Sequence, residues 1–368
     1  MIKEAYVSAI EVLNKCSTNH GFYAAYPGYD MVFARDAMII SLGASFFPQF
    51  KNTIKQSLIT LAKNQSEKGQ IPNAVDKFSQ RKHHVDYKSI DSSLWFIIGH
   101  YNYKQRYKDS ALFNAQNDAI KHAFNWLSYQ DIGENGMLAQ LPTTDWQDAF
   151  PHRYGYTINT QALWYRVLQL MNKNQEADKL KQQVNKNSDM KLWDNEYYLA
   201  YRWKNHNNYK EKSNWFDTLG NLLAIIFNLT DNQKSEKILN YIKKNKINEP
   251  YPVKAIYPPI TINSKHWQDY YLDSEAGKPW HYLNAGIWAY IGSFYILALI
   301  KQKKIKEAET QLQKLAEANL KYNFTEWLHG LTGKEGETEA EVKSVQGWNA
   351  GMYILAYESL KKKKVLIS

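Results

Sequence analysis

A recurrent helical period constrains this chain more than any other feature. In "SIDSSLWFIIGHYNYK" the apolar residues Ile90, Leu94, Ile97, Ile98 and Tyr101 fall at i, i+4, i+7, i+8 and i+11, one face of a helix. Leu112, Ala115, Ala119, Ile120, Ala123, Phe124 and Leu127 repeat the pattern in the next segment. Applied along the whole chain, this reading predicts about twelve helices, over residues 2–15, 36–47, 51–65, 90–106, 111–129, 157–173, 175–186, 215–229, 232–245, 282–301, 303–320 and 345–361. The strand signal is weak. Only "LWDNEYYLAYRW" alternates enough to predict a small hairpin, inside a long loop.

The spacing of these helices alternates. Short turns join the second to the third and the fourth to the fifth, and so on. Long loops fall at roughly 17–35, 66–89, 130–156, 187–214, 246–281 and 321–344. Antiparallel helices linked in this way carry their long links at one end. Six helical hairpins closed into a ring would form an all-α, α/α barrel with long loops on one face; an open solenoid is the competing arrangement. The absence of a repeat of fixed period weighs against the solenoid. A length of 368 residues accommodates one large domain or two small ones. The expectation is a single domain over 1–368.

Composition narrows the partners. The net charge of +10 comes from lysines scattered over amphipathic helices rather than clustered in a module, which predicts a solvated surface and no nucleic-acid partner. The one run, Lys361 to Lys364, ends the last helix, where positive charge complements the dipole. The most apolar stretch, "AGIWAYIGSFYILALI", is too short for a membrane span and contains two glycines, so a buried helix and no membrane partner are expected. The first residues show no apolar run followed by a cleavage site, and Cys16 is the only cysteine, so no intrachain disulfide is possible. A reducing cytoplasm is the expected compartment, and Cys16, remote from every polar cluster, is not expected to act as a nucleophile. There is no glycine-rich phosphate loop. The adjacent histidines of "HHVD" (83–86) point apart and lack a partner set, so neither a metal nor a cofactor is expected.

The polar clusters fall in or beside the long loops. They are "YPGYDMVFARDAM", "VDYKSIDSSLW", "TTDWQDAFPHRYG", "SNWFDTLGN", "KPWHYLNAGIW" and "NFTEWLHGLTG". Carboxylates beside tryptophans, with no metal-ligand set, suit carbohydrates: indole faces stack on sugar C–H faces, and Asp, Asn and Arg take the hydroxyls. Hydrolysis of a glycosidic bond needs one protonated and one ionised carboxyl group, about 6.5–9.5 Å apart in an inverting enzyme. Asp148 is the candidate acid, because Trp146 close by would desolvate it. Glu326, between Thr325 and Trp327, is the candidate base. For Asp91, in "SIDSSLW", a helix cap is an equally direct reading. The run "KEGETEAE" (334–341) reads as a solvated loop.

These motifs resemble known families. "TDWQDAFPHRYGYTINTQALWY" and "YKSIDSSLWFI" resemble stretches of the amylo-α-1,6-glucosidases, the debranching half of glycogen debranching enzymes. "YDMVFARDAM" is similar to the Tyr-Asp-x-Val-Phe-x-Arg-Asp of the neutral and alkaline invertases. "WHYLNAGIW" and "EWLHGLTG…VQGWNAGMYILAY" resemble late motifs of both groups, and the ordered set runs from about Tyr23 to Tyr357. The resemblance implies an (α/α)6 barrel and an inverting exo-glycosidase with Asp148 as acid and Glu326 as base. It places Arg35 and Asp36 on the hydroxyls of the terminal sugar, with Asp91, Asp145, Trp280, His281 and Trp348 around them. Trp146 would shape the surroundings of Asp148, and Arg153 would anchor the loop through a carboxylate.

The expected activity is removal of a terminal α-linked sugar, glucose first, from a small oligosaccharide or glycoside, since no separate starch-binding segment is seen. Three alternatives stay open: sucrose hydrolysis in the invertase manner, a non-catalytic sugar-binding barrel, and a helical solenoid that binds protein.

Overall fold

The computed structural model describes residues 1–76, 84–186, 189–206, 208–273, 277–336 and 344–367. Thirteen helices occur among them: α1 Ile2–Cys16, α2 Ala34–Ala44, α3 Lys51–Lys63, α4 Asp91–Tyr107, α5 Ala111–Ala115, α6 Asn117–Ser128, α7 Ile158–Leu170, α8 Asn174–Asn185, α9 Thr218–Ile226, α10 Asn232–Lys244, α11 Ala289–Lys301, α12 Ile305–Lys321 and α13 Gly347–Lys361. The thirteenth arises because the helix expected over 111–129 is two pieces, separated at Gln116. The helix expected over 282–301 starts only at Ala289. Tyr282 and Ala285 adopt positive φ, and Ile287 exchanges backbone hydrogen bonds with Leu328 instead of turning into a helix. The helix expected over 215–229 begins at Thr218, because the Asp217 side chain accepts from Gly220 N–H and caps it.

Two kinds of helix alternate along the chain. α2 and α9 are buried at every residue, and α4, α7, α11 and α13 over most of their length. α6, α8 and α10 bury only a stripe: Ile120, Ala123 and Leu127; Ala177, Leu180 and Val184; Ser235, Ile238, Leu239 and Ile242. A helix apolar all round needs cover on every side, and a striped helix supplies it on one face. The sequence thus encodes inner and outer helices in strict succession.

Four inner helices are entered from short antiparallel strand pairs. Val32–Phe33, before α2, pairs with Ala74–Val75, which pairs with Val85–Asp86. Tyr156–Thr157, before α7, pairs with the strand Tyr201–His206. Phe216–Asp217, before α9, pairs with Ile256–Tyr257, and Val345–Gln346, before α13, pairs with Ala25–Tyr26. These ladders tie the loop residues to helix N-termini, the ends at which backbone N–H groups and the dipole favour carboxylates. The expected hairpin is present as Trp193–Asp194 against Tyr197–Tyr198, with Asn195 at positive φ in its turn.

The chain divides into two compact units: Met1–Tyr129 with Leu312–Glu326 and Glu337–Ser368, and Gln130–Gln311 with Trp327–Gly336. In the first, α2 packs against α13 and α4, α1 against α13, α3 against α2 and α4, and α4 against α6. α2 and α13 approach so closely that a Cβ added to Gly43 would lie 1.7 Å from the Gly351 carbonyl oxygen. In the second, α7 packs against α8 and α9, and α9 against α11. Among the described residues no helix is long and apolar enough to cross a membrane. Most of the acidic run 334–341, and His83 of "HHVD", lie outside the described residues.

Candidate active site

In the first unit the candidate residues gather at the N-termini of α2 and α4. Arg35 and Asp36 form the first turn of α2 and are buried. Arg35 Nη1 donates to both carboxylate oxygens of Asp91, at 3.1 and 3.2 Å. Asp91 has no exposed surface and also accepts from the Ser89 hydroxyl. The cap reading of Asp91 is corrected here: Asp91 is the first residue of α4 rather than its N-cap, which is Ile90, and its carboxylate is bound by Arg35. Asp36 Oδ2 lies 3.9 Å from Arg35 Nε, so one guanidinium organises both acids. His84 of the "HHVD" segment sits 3.7 Å from Asp76.

Glu326 and Trp348 also belong to this unit. Glu326 is part-exposed and follows Phe324, whose φ is positive. Its loop is pinned from α13: Asn349 Nδ2 donates to Thr325 O at 2.7 Å, and Gln346 N–H donates to Phe324 O at 3.0 Å. Trp348, in the first turn of α13, is buried.

In the second unit the segment 145–153 is built around Arg153. Arg153 Nη2 donates to Asp145 Oδ2 at 2.7 Å and Nη1 to Asp217 Oδ2, and all three side chains are buried without exposure. Asp145 also accepts from Gln140 Nε2 and from Gln147 N–H, each at 3.0 Å. Gln140 in turn accepts from the Thr157 hydroxyl at 2.7 Å and from that of Thr160. Burial works against the Arg153 charge, but Asp145 and Asp217 together hold its pKa above the ordinary value. Burial raises the pKa of Asp217, and the attraction of Arg153 offsets only part of that. The anchoring role expected for Arg153 is thus met by two carboxylates. Asp217 was legible only as an acid in "SNWFDTLGN"; its pairing with Arg153 had no signal at a separation of 64 residues.

Asp148 is exposed, whereas Trp146 is buried, edge-on to Trp288 and Tyr290 at centroid distances of 5.8 and 5.9 Å. The indole therefore packs inward instead of enclosing the carboxyl. Trp146 Nε1 and both side-chain polar atoms of Gln147 are buried without a hydrogen-bond partner among the described residues. Buried polar atoms in native proteins are nearly always paired, so unpaired donors in the two residues before Asp148 mark this segment in a way that the sequence does not.

Trp280 and His281 lie in a turn of the second unit. Trp280 has positive φ, and its carbonyl accepts from Gly330 N–H at 2.8 Å. The His281 ring lies 5.7 Å from that of Trp327 and 4.8 Å from that of His329. Cys16 is buried, and burial pushes its thiol up to about 12, which leaves no thiolate for nucleophilic chemistry.

The chain resembles bacterial glucoamylase complexed with acarbose, at 14% identity and a TM-score of 0.63, over 99% of this chain and 56% of that one. It also resembles the GH63 mannosylglycerate hydrolase of Thermus thermophilus in complex with Tris and D-glycerate, at 11% identity and a TM-score of 0.72, over 95% of this chain and 99% of that one. The fold is therefore the (α/α)6 barrel shared by these glycoside hydrolases, as the helix spacing and the sequence resemblance implied. Residues 208–363 match the family model described as alkaline and neutral invertase. Alkaline/neutral invertase E, chloroplastic, of Arabidopsis thaliana is 26% identical over 144 residues, 38% of this chain. The chain spans only 22% of the length of that relative.

Proposed function

We propose that the chain is an inverting glycoside hydrolase acting on a terminal sugar of a small carbohydrate, with Asp148 as general acid and Glu326 as general base. The observation that carries this reading is the 145–148 segment. The exposed Asp148 carboxyl stands on a loop fixed by three buried bonds to Asp145. Such a loop holds the acid in place while leaving its carboxyl open to a ligand. The family match and the glycosidase fold support the same reaction class. The acid protonates the leaving oxygen. The base takes a proton from water attacking the opposite face of the sugar, which inverts the anomeric centre.

In this reading Arg35 and Asp36 take sugar hydroxyls, with Trp280, His281 and Trp348 around the ring. Asp91, Asp145 and Arg153 act as positioning residues, because their charged groups are buried and already bound to one another or to their neighbours. A cytoplasmic setting fits the single buried thiol.

Two substrates compete. An α-glucosidase would release glucose from isomaltose, maltose, kojibiose or a small glucoside; an invertase would release glucose and fructose from sucrose. The family match favours sucrose. Incubation with each sugar, with glucose and fructose assayed separately, decides between them. Equal release of both from sucrose supports the invertase form, and glucose from an α-glucoside alone supports the glucosidase form. Sugars that raise the melting temperature without turnover would instead support a binding protein.

A further inference from the structure

His281 and His329 lie in the second unit with their rings 4.8 Å apart and edge to face. Each ring is held by the backbone through Nδ1, in opposite senses. His281 Nδ1 is 3.0 Å from the Pro279 carbonyl oxygen. A carbonyl only accepts, so this nitrogen carries a proton, and in the neutral ring Nε2 then presents a lone pair. His329 Nδ1 receives the backbone N–H groups of Leu331 and Thr332, each at 3.2 Å. It must therefore carry the lone pair, which leaves the proton on Nε2. Burial and the neighbouring His281 both lower the pKa of His329, in keeping with a neutral ring.

The two turns that carry the rings are stitched together. Gly330 N–H donates to Trp280 O at 2.8 Å, and Ile287 and Leu328 exchange two backbone hydrogen bonds. A Cβ on Gly330 would lie 2.1 Å from the Ala285 carbonyl oxygen, so the turns approach as closely as glycine allows. Neither Nε2 atom has a hydrogen-bond partner among the described residues. The result is a preorganised acceptor beside a preorganised donor, next to the ring of Trp327.

We propose that His281 and His329 together read the hydroxyl edge of the sugar: His281 Nε2 accepts from one hydroxyl, and His329 Nε2–H donates to the same or an adjacent one. The inference rests on the carbohydrate reading above for its ligand class. It makes His329 a specificity-determining residue that selects ligands with neighbouring hydroxyl groups.

The test separates this role from a structural one. Asparagine reproduces the Nδ1 position of histidine and glutamine the Nε2 position. His281→Asn keeps the donor to Pro279, and His329→Asn keeps the acceptor for Leu331 and Thr332, but each loses its Nε2 function. Both should melt within about 2 °C of wild type and bind sugar about tenfold more weakly. The binding is measured by calorimetry with D-glucose, D-fructose and D-mannose. His281→Gln and His329→Gln should recover part of the loss. Long-range 15N NMR of the wild type should show the proton on Nδ1 of His281 and on Nε2 of His329.

Either opposite tautomer, sugar binding unchanged in both Asn variants, or no binding of any of the three sugars by the wild type overturns the proposal. Hydrolysis with unchanged sugar binding in the Asn variants would sink the pair and leave the hydrolase standing. Binding that weakens as stated, with no hydrolysis of any sugar, would do the reverse.

Discussion

Arg153 Nη2 lies 2.7 Å from Asp145 Oδ2, and neither side chain has any exposed surface. The other arm of the guanidinium reaches Asp217, the cap of α9, so one cation ties the loop of the candidate acid to the start of a fully buried helix. Removing it strands two carboxylates in the interior. Arg153→Ala is expected to cost about 3–5 kcal/mol of stability, measured by urea unfolding at pH 7. Arg153→Lys, whose single ammonium lacks the fork that spans both partners, should fall between it and wild type. A loss below about 1 kcal/mol for the alanine variant, in the range of an exposed pair, would contradict the clamp.

Asp217 gives this clamp a pH dependence. Burial raises its folded pKa above the ordinary 3.8, with Arg153 opposing. A raised folded value means that the group's contribution is fully present below the ordinary carboxylate value and is lost as pH rises through the raised one. Asp217→Asn keeps the cap on α9 but cannot ionise. The stability of wild type relative to Asp217→Asn should therefore decline as the pH is raised from 4 to 7 in chemical denaturation. A difference that grows with pH would mean that Arg153 wins over burial.

His100 in α4 titrates in the opposite sense. Burial lowers it to about 3, so its contribution is present above the ordinary imidazole value and is lost as pH falls toward 3. Between pH 6.5 and 5 the wild type should lose about 2 kcal/mol relative to a His100→Gln variant, from roughly 1.4 kcal/mol per unit. Parallel stability curves for the two proteins would show that the folded ring takes up its proton as readily as the unfolded one.

The crossing of α2 and α13 is set by backbone contact. A methyl group at Gly43 would meet the Gly351 carbonyl at 1.7 Å, which no side-chain rotation relieves. Gly43→Ala should destabilise by at least about 1–3 kcal/mol, the range for overpacking. A melting temperature equal to that of wild type would show that the helices can move apart.

Much of this architecture was legible because burial leaves a period. Helical periods mark the segments, and the alternation of short and long links marks their pairing; helices such as "ARDAMIISLGA" are buried on all sides and those such as "NQEADKLKQQVN" on a stripe. What escaped detection had no period to leave. The two-residue strand pairs before α2, α7, α9 and α13 are too short for alternation to register. The delayed start of α11 depends on a pairing of Ile287 with Leu328, 41 residues away, which overrides a helix-compatible sequence. At the candidate site, residue types and loops were readable, but partners were not. Asp91 looked like a cap until Arg35 claimed it. Asp145 reads in the sequence as a sugar ligand, with nothing to show that it accepts from Gln140, Gln147 and Arg153 in the fold. His329 passed unnoticed because a ring's tautomer is set by neighbours that only the fold supplies.

The central claim is an acid–base pair that inverts the anomeric centre, and the anomer of the first product tests it most directly. With the sugar that the wild type hydrolyses, 1H NMR within the first minutes, before mutarotation, should show the β-anomer released from an α-linkage. Asp148→Asn and Glu326→Gln should each lower kcat by at least about a hundredfold. Asp148 is exposed and Glu326 part-exposed, so both variants should keep the wild-type melting temperature. Release of the α-anomer, or full turnover by either variant, would contradict the account.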